Sequence, residues 1–212
     1  MIKINNVTKK FGSTISLDNI NIEFKKDDSI ALMGANGAGK TTLIRSILGY
    51  YHLNSGSILV NGFDPIKERE EVLGDISFVP QLPPPIKLNI KELIDYIQKS
   101  SATKREDILY YANEMKLDID SNMYKSFFKL SGGMKQKLLI SISLARESSI
   151  MIFDEPTANL DPKARDDFYR LLNGKEKERV ILFVTHRLEE VKGLVNREIY
   201  MDLGKVISDE KL

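Results

Sequence analysis

Eight residues, Gly34-Ala35-Asn36-Gly37-Ala38-Gly39-Lys40-Thr41, constrain this chain more than any other stretch. They have the spacing G-x-x-x-x-G-K-[ST] of a loop that wraps phosphate. The apolar run Ser29-Ile30-Ala31-Leu32-Met33 ahead of them reads as a buried strand. Thr42 to Leu48 reads as a helix, with Gly49 as its stop. Strand, glycine loop and helix together give the pattern a mechanism. The glycines let successive backbone N–H groups turn inward onto phosphate oxygens. The start of the helix adds the positive end of its dipole. Lys40 is then expected at the β- and γ-phosphates of a nucleotide, and the Thr41 hydroxyl on Mg²⁺.

Length allows one large domain, or one domain carrying an inserted lobe: the chain has 212 residues. A net charge of +1 does not point to nucleic acid as the main partner. With no cysteine, a disulfide framework and cysteine metal sites are excluded, which fits a cytosolic protein. Met1 to Asn6 alternates like a strand and has no signal-peptide core. The longest apolar runs, such as Val180 to Val184, fall far short of the ~20 residues that cross a bilayer. If the protein serves a membrane, another chain is expected to span it.

Residues 1–33 read as β-structure, with Ile15, Leu17, Ile20, Ile22 and Phe24 alternating. Asn54-Ser55-Gly56 reads as a turn, Ser57–Val60 as a strand and Asn61-Gly62 as a hairpin turn. Ile76–Val79 is a strand. Pro80-Gln81-Leu82-Pro83-Pro84-Pro85 then breaks regular structure. From there to about Ser149 the apolar residues recur at helical spacing (Ile90, Leu93, Ile94, Ile97; Ile108, Tyr111, Ala112, Met115; Leu138, Leu139, Ile142). Ile150–Phe153 and Val180–Val184 are apolar throughout, as strands buried on both faces are. Lys163–Asn173 and Arg187–Gly193 read as helices, and Glu198–Met201 with Lys205–Ile207 as a closing hairpin. The expected fold is α/β, with a core sheet that is mixed or parallel, an antiparallel β region at the N-terminus and an inserted all-helical lobe. The core takes residues 1–82 and 149–212, and the lobe 83–148.

Several residues outside the loop carry chemistry. Asp154 ends an apolar strand, where a carboxylate can hold Mg²⁺ beside Thr41. Glu155 follows, placed to polarise a water for in-line attack. Apart from the loop, the same pair reads equally well as acids at a helix N-terminus ahead of Pro156. His186 stands at the C-terminal end of a strand, where α/β proteins bind ligands, and can hydrogen-bond a γ-phosphate. Gln81 can reach a metal or a water. Leu130-Ser131-Gly132-Gly133-Met134-Lys135-Gln136 opens a helix over Met134–Arg146 with Ser131 as N-cap, which makes a second anion site. One nucleotide needs only one cradle, so either this is a plain helix cap or it serves phosphate held by another subunit.

Taken together, these stretches resemble the ATP-binding cassette (ABC) ATPases, the nucleotide-binding subunits of ABC transporters, over essentially all 212 residues. Gly34–Thr41 resembles the Walker A loop, Gln81 the Q-loop glutamine and Leu130–Gln136 the family signature. Ile150–Glu155 resembles Walker B with its catalytic glutamate, Ala158–Asp161 the D-loop, and His186 the H-loop histidine. The resemblance implies a RecA-like P-loop NTPase core and ATP hydrolysis with Mg²⁺ at Thr41, Gln81 and Asp154. Glu155, His186 and Gln81 would be catalytic. The nucleotide set would be Phe11, Gly34, Asn36, Gly37, Ala38, Gly39, Lys40, Thr41 and Thr42, with Ser131, Gly132 and Gly133 supplied by a second cassette. Phe11 stands where the family has an adenine-stacking tyrosine, and keeps the π-face. The resemblance also implies a head-to-tail homodimer sandwiching two ATPs. A separate transmembrane permease would be the partner, with the subunit peripheral on the cytoplasmic face of the cell membrane. Gly132-Gly133-Met134-Lys135-Gln136 is similar to subunits paired with exporter-like permeases. A C-terminal regulatory domain is not expected, which argues against the long sugar-importer type. A soluble ABC ATPase acting on ribosomes or DNA is the alternative.

Overall fold

The computed structural model describes residues 1–175 and 177–212. They form two compact units. The first comprises 1–76, 149–152 and 174–212, and the second 77–148 and 153–173.

In the first unit, β1 (Ile2–Phe11), β2 (Thr14–Phe24) and β4 (Ser55–Val60) make an antiparallel sheet in the order β2-β1-β4. Ile2 and Ile4 pair with Phe24 and Ile22 on one side and with Val60 and Ile58 on the other, and all six are buried. The alternation then slips. Asn6 and Asn19 take positive φ (48° and 52°), a conformation asparagine tolerates better than most side chains. The Asn6 N–H donates to Asn21 Oδ1 and the Asn19 N–H to Thr8 Oγ1, so the irregular backbone keeps its hydrogen bonds. As a result Leu17 and Ile20 are both buried, while Ile15 is exposed rather than part of the buried face. Ser55 and Gly56 belong to β4 and not to a turn, against the sequence expectation. The register shifts between Asn5 and Thr8 there, and Gly56 (φ 83°) lies against the Asn5 and Asn6 carbonyls. Asn61 and Gly62 do form a two-residue hairpin turn, both at positive φ (51° and 93°), bridging Val60 to Phe63.

The larger sheet has six strands in the order β5-β6-β7-β3-β8-β9. They are β3 (Ser29–Met33), β5 (Ile76–Val79), β6 (Ile150–Asp154), β7 (Val180–Val184), β8 (Arg197–Asp202) and β9 (Lys205–Lys211). Strand β3 is parallel to β7 and β8, and β8 turns back antiparallel into β9. Helix α1 (Lys40–Ile47) follows β3 and ends at Leu48, with Gly49 at φ 69°. Helix α2 (Arg69–Asp75) had no periodic signal, because only Val72 of its seven residues is buried.

In the second unit the apolar stripes read from the sequence pack on one another. Helices α3 (Ile90–Ser101), α4 (Arg105–Glu114) and α5 (Gly132–Ala145) bury Ile94, Ile108, Ala112, Leu138 and Ile142 around Phe127. Asn89 caps α3 in a reciprocal box, accepting from the Glu92 N–H while Glu92 Oε2 accepts from the Asn89 N–H. Two short 3-10 turns (Asp120–Asn122 and Phe127–Lys129) interrupt the helical stretch before α5. Helix α6 (Pro162–Leu172) starts at its Asp161 N-cap, and its Phe168 meets Phe153 edge to face at 5.2 Å. Helix α7 (Leu188–Val191), in the first unit, is shorter than expected. No helix among the described residues is long and apolar enough to cross a membrane.

Candidate nucleotide site

The expected site residues fall into two sets, one in each unit. In the first unit, the loop from Gly34 to Gly39 joins β3 to α1 and curls round the side chain of Lys40. Lys40 Nζ donates to the Gly34 carbonyl at 2.5 Å and to the Ala35 carbonyl at 3.1 Å. The Ala38 N–H turns back onto the Ala35 carbonyl at 3.1 Å. Asn36, Gly37 and Thr41 are exposed, whereas Ala38 and Gly39 are buried. An ammonium held by two loop carbonyls at a helix start is suited to a polyphosphate. The Thr42 hydroxyl is turned instead to Ser16 Oγ of β2 at 2.7 Å, which ties the helix start to the small sheet.

A backbone junction holds the loop from behind. The Gly204 N–H, in the β8–β9 turn, donates to the Ala38 carbonyl at 3.0 Å, and the Gly204 carbonyl accepts from the Asp18 N–H at 2.8 Å. A Cβ on Gly39 would lie 2.6 Å from the Ser16 carbonyl oxygen, and one on Gly204 would lie 2.9 Å from the same atom. Both glycines also have positive φ (103° and 80°). Loop, β2 and closing hairpin therefore meet where no side chain fits. Sequence spacing could not show this, since the contacts join stretches far apart in the chain. Gly204→Ala is expected to cost more than about 1 kcal/mol of stability, and to reduce the rise in melting temperature that ATP produces. An undiminished ATP-induced rise in a thermal melt would show that the junction does not shape the loop.

His186 belongs to this first set. Strand β7 runs parallel to β3 with Val184 opposite Leu32, and the Thr185 N–H reaches the Leu32 carbonyl at 3.4 Å. His186 thus leaves the sheet at the same edge as Gly34, on the neighbouring strand, and is exposed. Arg187 Nε donates to His186 Nε2 at 3.4 Å. Phe11, the last residue of β1, is 44% exposed.

In the second unit, Ser131 caps α5 by accepting from the Met134 N–H at 3.2 Å. The helix begins at Gly132, two residues earlier than its apolar pattern suggests. Ser131 and Gly132 are exposed, at a helix start whose first N–H groups have no partner within the helix. Gly133 lies against the Asn159 carbonyl, which a Cβ would approach to 3.1 Å, so this cradle and the 158–161 stretch pack together. Gln136 is fully buried and takes no part in the exposed lip. The Ala164 backbone N–H donates to Asp161 Oδ1 at 3.0 Å and holds that carboxyl below the usual carboxylate range, with Lys137 at 3.7 Å acting in the same direction. Asp154 ends β6 and Glu155 is the first residue beyond it, both half-buried. Glu155 has a left-handed backbone (φ 46°), unusual for its residue type, and its carbonyl accepts from the Ala158 N–H at 3.2 Å. Gln81 is exposed in the irregular stretch after β5.

Residues 17–158 match the family described as ABC transporter. The chain belongs to the ABC transporter family. As an ABC ATPase domain it binds and hydrolyses ATP. It is 35% identical to an energy-coupling factor transporter ATP-binding protein of Clostridium perfringens, over 93% of this chain and 73% of that one. It is 32% identical to the bacitracin transport ATP-binding protein BcrA of Bacillus licheniformis, over 99% of this chain and 69% of the relative. Among solved structures it is similar to a dimeric ATP-binding cassette in a post-hydrolysis state bound to ADP and Pi. That likeness has a TM-score of 0.86 at 26% identity, and covers 100% of this chain and 99% of the other. The P-loop α/β architecture expected from the sequence is thus the architecture of this ABC domain.

Proposed function

We propose that this ABC ATPase is the energising subunit of a membrane transporter, acting as a head-to-tail dimer against a separate membrane-spanning permease. The observation that carries the reading is the pair of phosphate cradles on one chain. One is the Lys40 loop, and the other is the exposed start of α5 at Ser131-Gly132-Gly133. Two chains placed head to tail complete two sites, each with one cradle from either chain. The dimeric relative bound to ADP and Pi supports that arrangement. Nucleotide contacts made only in the closed dimer give ATP a means to shift the equilibrium toward closure, and hydrolysis a means to release it.

Each residue then has a defined task. Lys40 and the loop N–H groups neutralise the β- and γ-phosphates. Phe11 stacks on the adenine. Glu155 orients a water and draws its proton as the water oxygen bonds to the γ-phosphorus and the bond from that phosphorus to the bridging oxygen breaks. His186 hydrogen-bonds the γ-phosphate, and Gln81 positions the water. Thr41, Gln81 and Asp154 offer only oxygen donors, the chemistry of Mg²⁺, and a phosphate-bound magnesium needs few protein ligands. When bound there, Mg²⁺ would offset the charge of the phosphates. The subunit works from the cytoplasmic face, and the Gly132–Gln136 signature supports an exporter-like permease.

Mixing two inactive variants tests the shared site. Lys40→Ala removes the loop lysine, and Ser131→Arg blocks the α5 cradle. Neither homodimer should hydrolyse ATP, but a mixture contains heterodimers with one intact site and should recover phosphate release. A mixture as inactive as its components would refute the head-to-tail dimer.

A further inference from the structure

We infer that Tyr51 is a positioning residue for the nucleotide base, holding Phe11 in its stacking orientation and linking it to the helix that carries the phosphate loop. The inference rests on the reading above that Phe11 stacks on adenine. Tyr51 follows α1, just beyond Gly49, and is half-buried. Its ring meets that of Phe11 at 5.1 Å between centroids and 78° between planes, an edge-to-face contact. That geometry is favoured by the aromatic quadrupoles and fixes the angle of the partner ring.

Two cations complete the assembly. Arg45 Nη1, on the outer side of α1, donates to the Tyr51 hydroxyl at 3.0 Å. Lys9 Nζ donates to the His52 carbonyl at 2.7 Å, and lies 4.9 Å from the Phe11 centroid and 5.6 Å from that of Tyr51. Phe11 is therefore held from its own strand by Lys9 and from α1 through Tyr51. Helix α1 carries both Lys40 and Arg45, so the phosphate lysine shares an element with the residue that holds Tyr51. An exposed phenylalanine free to change rotamer would lose that freedom on stacking. One already held by Tyr51 has less to lose.

The test compares the binding of ATP with that of inorganic tripolyphosphate, which engages the loop but has no base, on the full chain. Phe11→Ala should weaken ATP and leave tripolyphosphate unchanged. Tyr51→Leu should weaken ATP about threefold to tenfold, again without affecting tripolyphosphate. Tyr51→Phe keeps the ring but loses the hydroxyl that Arg45 holds, and should weaken ATP measurably but less than Tyr51→Leu does. Tyr51→Gln replaces Tyr51→Leu if the latter folds poorly. If Phe11→Ala weakens ATP but Tyr51→Leu does not, the role of Tyr51 is overturned and the stacking stands. If Tyr51→Leu weakens both ligands equally, Tyr51 acts on the loop through α1 and the inference is again overturned. If Phe11→Ala leaves ATP binding unchanged, the stacking fails and takes the inference with it.

Discussion

Glu155→Gln should bind ATP almost as the parent does and hydrolyse it about 10²- to 10⁴-fold more slowly, the range for losing a positioned general base. Glu155 has a left-handed backbone, φ 46°, uncommon for a residue other than glycine, at the exit of a strand buried up to Phe153. Holding a non-glycine residue there costs on the order of 1–3 kcal/mol, and such strain collects at functional sites. The turn from its carbonyl to the Ala158 N–H keeps the residue in place. Glutamine has the same shape and backbone preferences, so the fold should survive and only the basicity is lost. With hydrolysis blocked, the closed state should accumulate, and size-exclusion chromatography in ATP should show dimers that ADP does not produce. Turnover within tenfold of the parent would mean that another group orients the water. Inactivity without ATP-dependent dimers would place Glu155 in the interface and not in the chemistry.

The parts of this molecule that were legible in the sequence are those whose physics is local. Spacing alone encodes the loop at 34–41, because its glycines, lysine and threonine act within one turn of chain. The Ser131 cap and the Asn61-Gly62 turn are likewise short-range, and the structure has both. Buried parallel strands were legible because β7 is apolar at every position and all five residues are buried. Contacts between distant stretches were not. Nothing near Gly204 in the sequence says that its N–H supports Ala38, and nothing near Tyr51 says that its ring meets Phe11. Local reading also failed where a long-range contact overrode it. Ser55 and Gly56 look like a turn, yet pairing with β1 extends the strand through them by means of a bulge. Helix α2 was missed for the opposite reason: with one buried side chain it has no stripe to read.

Lys40→Ala is expected to have the largest effect on binding. The ammonium is bonded to the carbonyls of Gly34 and Ala35, which hold it against the loop. Phosphate oxygens would exchange for those carbonyls, replacing neutral acceptors with charged ones. Hydrogen bonds to charged groups contribute about 1.5–3 kcal/mol each. With one bond to each of the β- and γ-phosphates, less the carbonyl bonds given up, ATP affinity should fall about 10²-fold or more. The loss should depend on the ligand. It should be large for ATP and ADP, which present a β-phosphate, and small for AMP, which presents neither the β- nor the γ-phosphate. Calorimetric titration of all three nucleotides would separate this from general damage to the fold, which would weaken AMP equally. Lys40→Arg should not restore binding, because a planar guanidinium is larger than the ammonium that the two carbonyls enclose. Unchanged ATP binding in Lys40→Ala would mean that the loop is not the nucleotide site, and the roles assigned to Phe11, Tyr51 and Ser131 would fall with it.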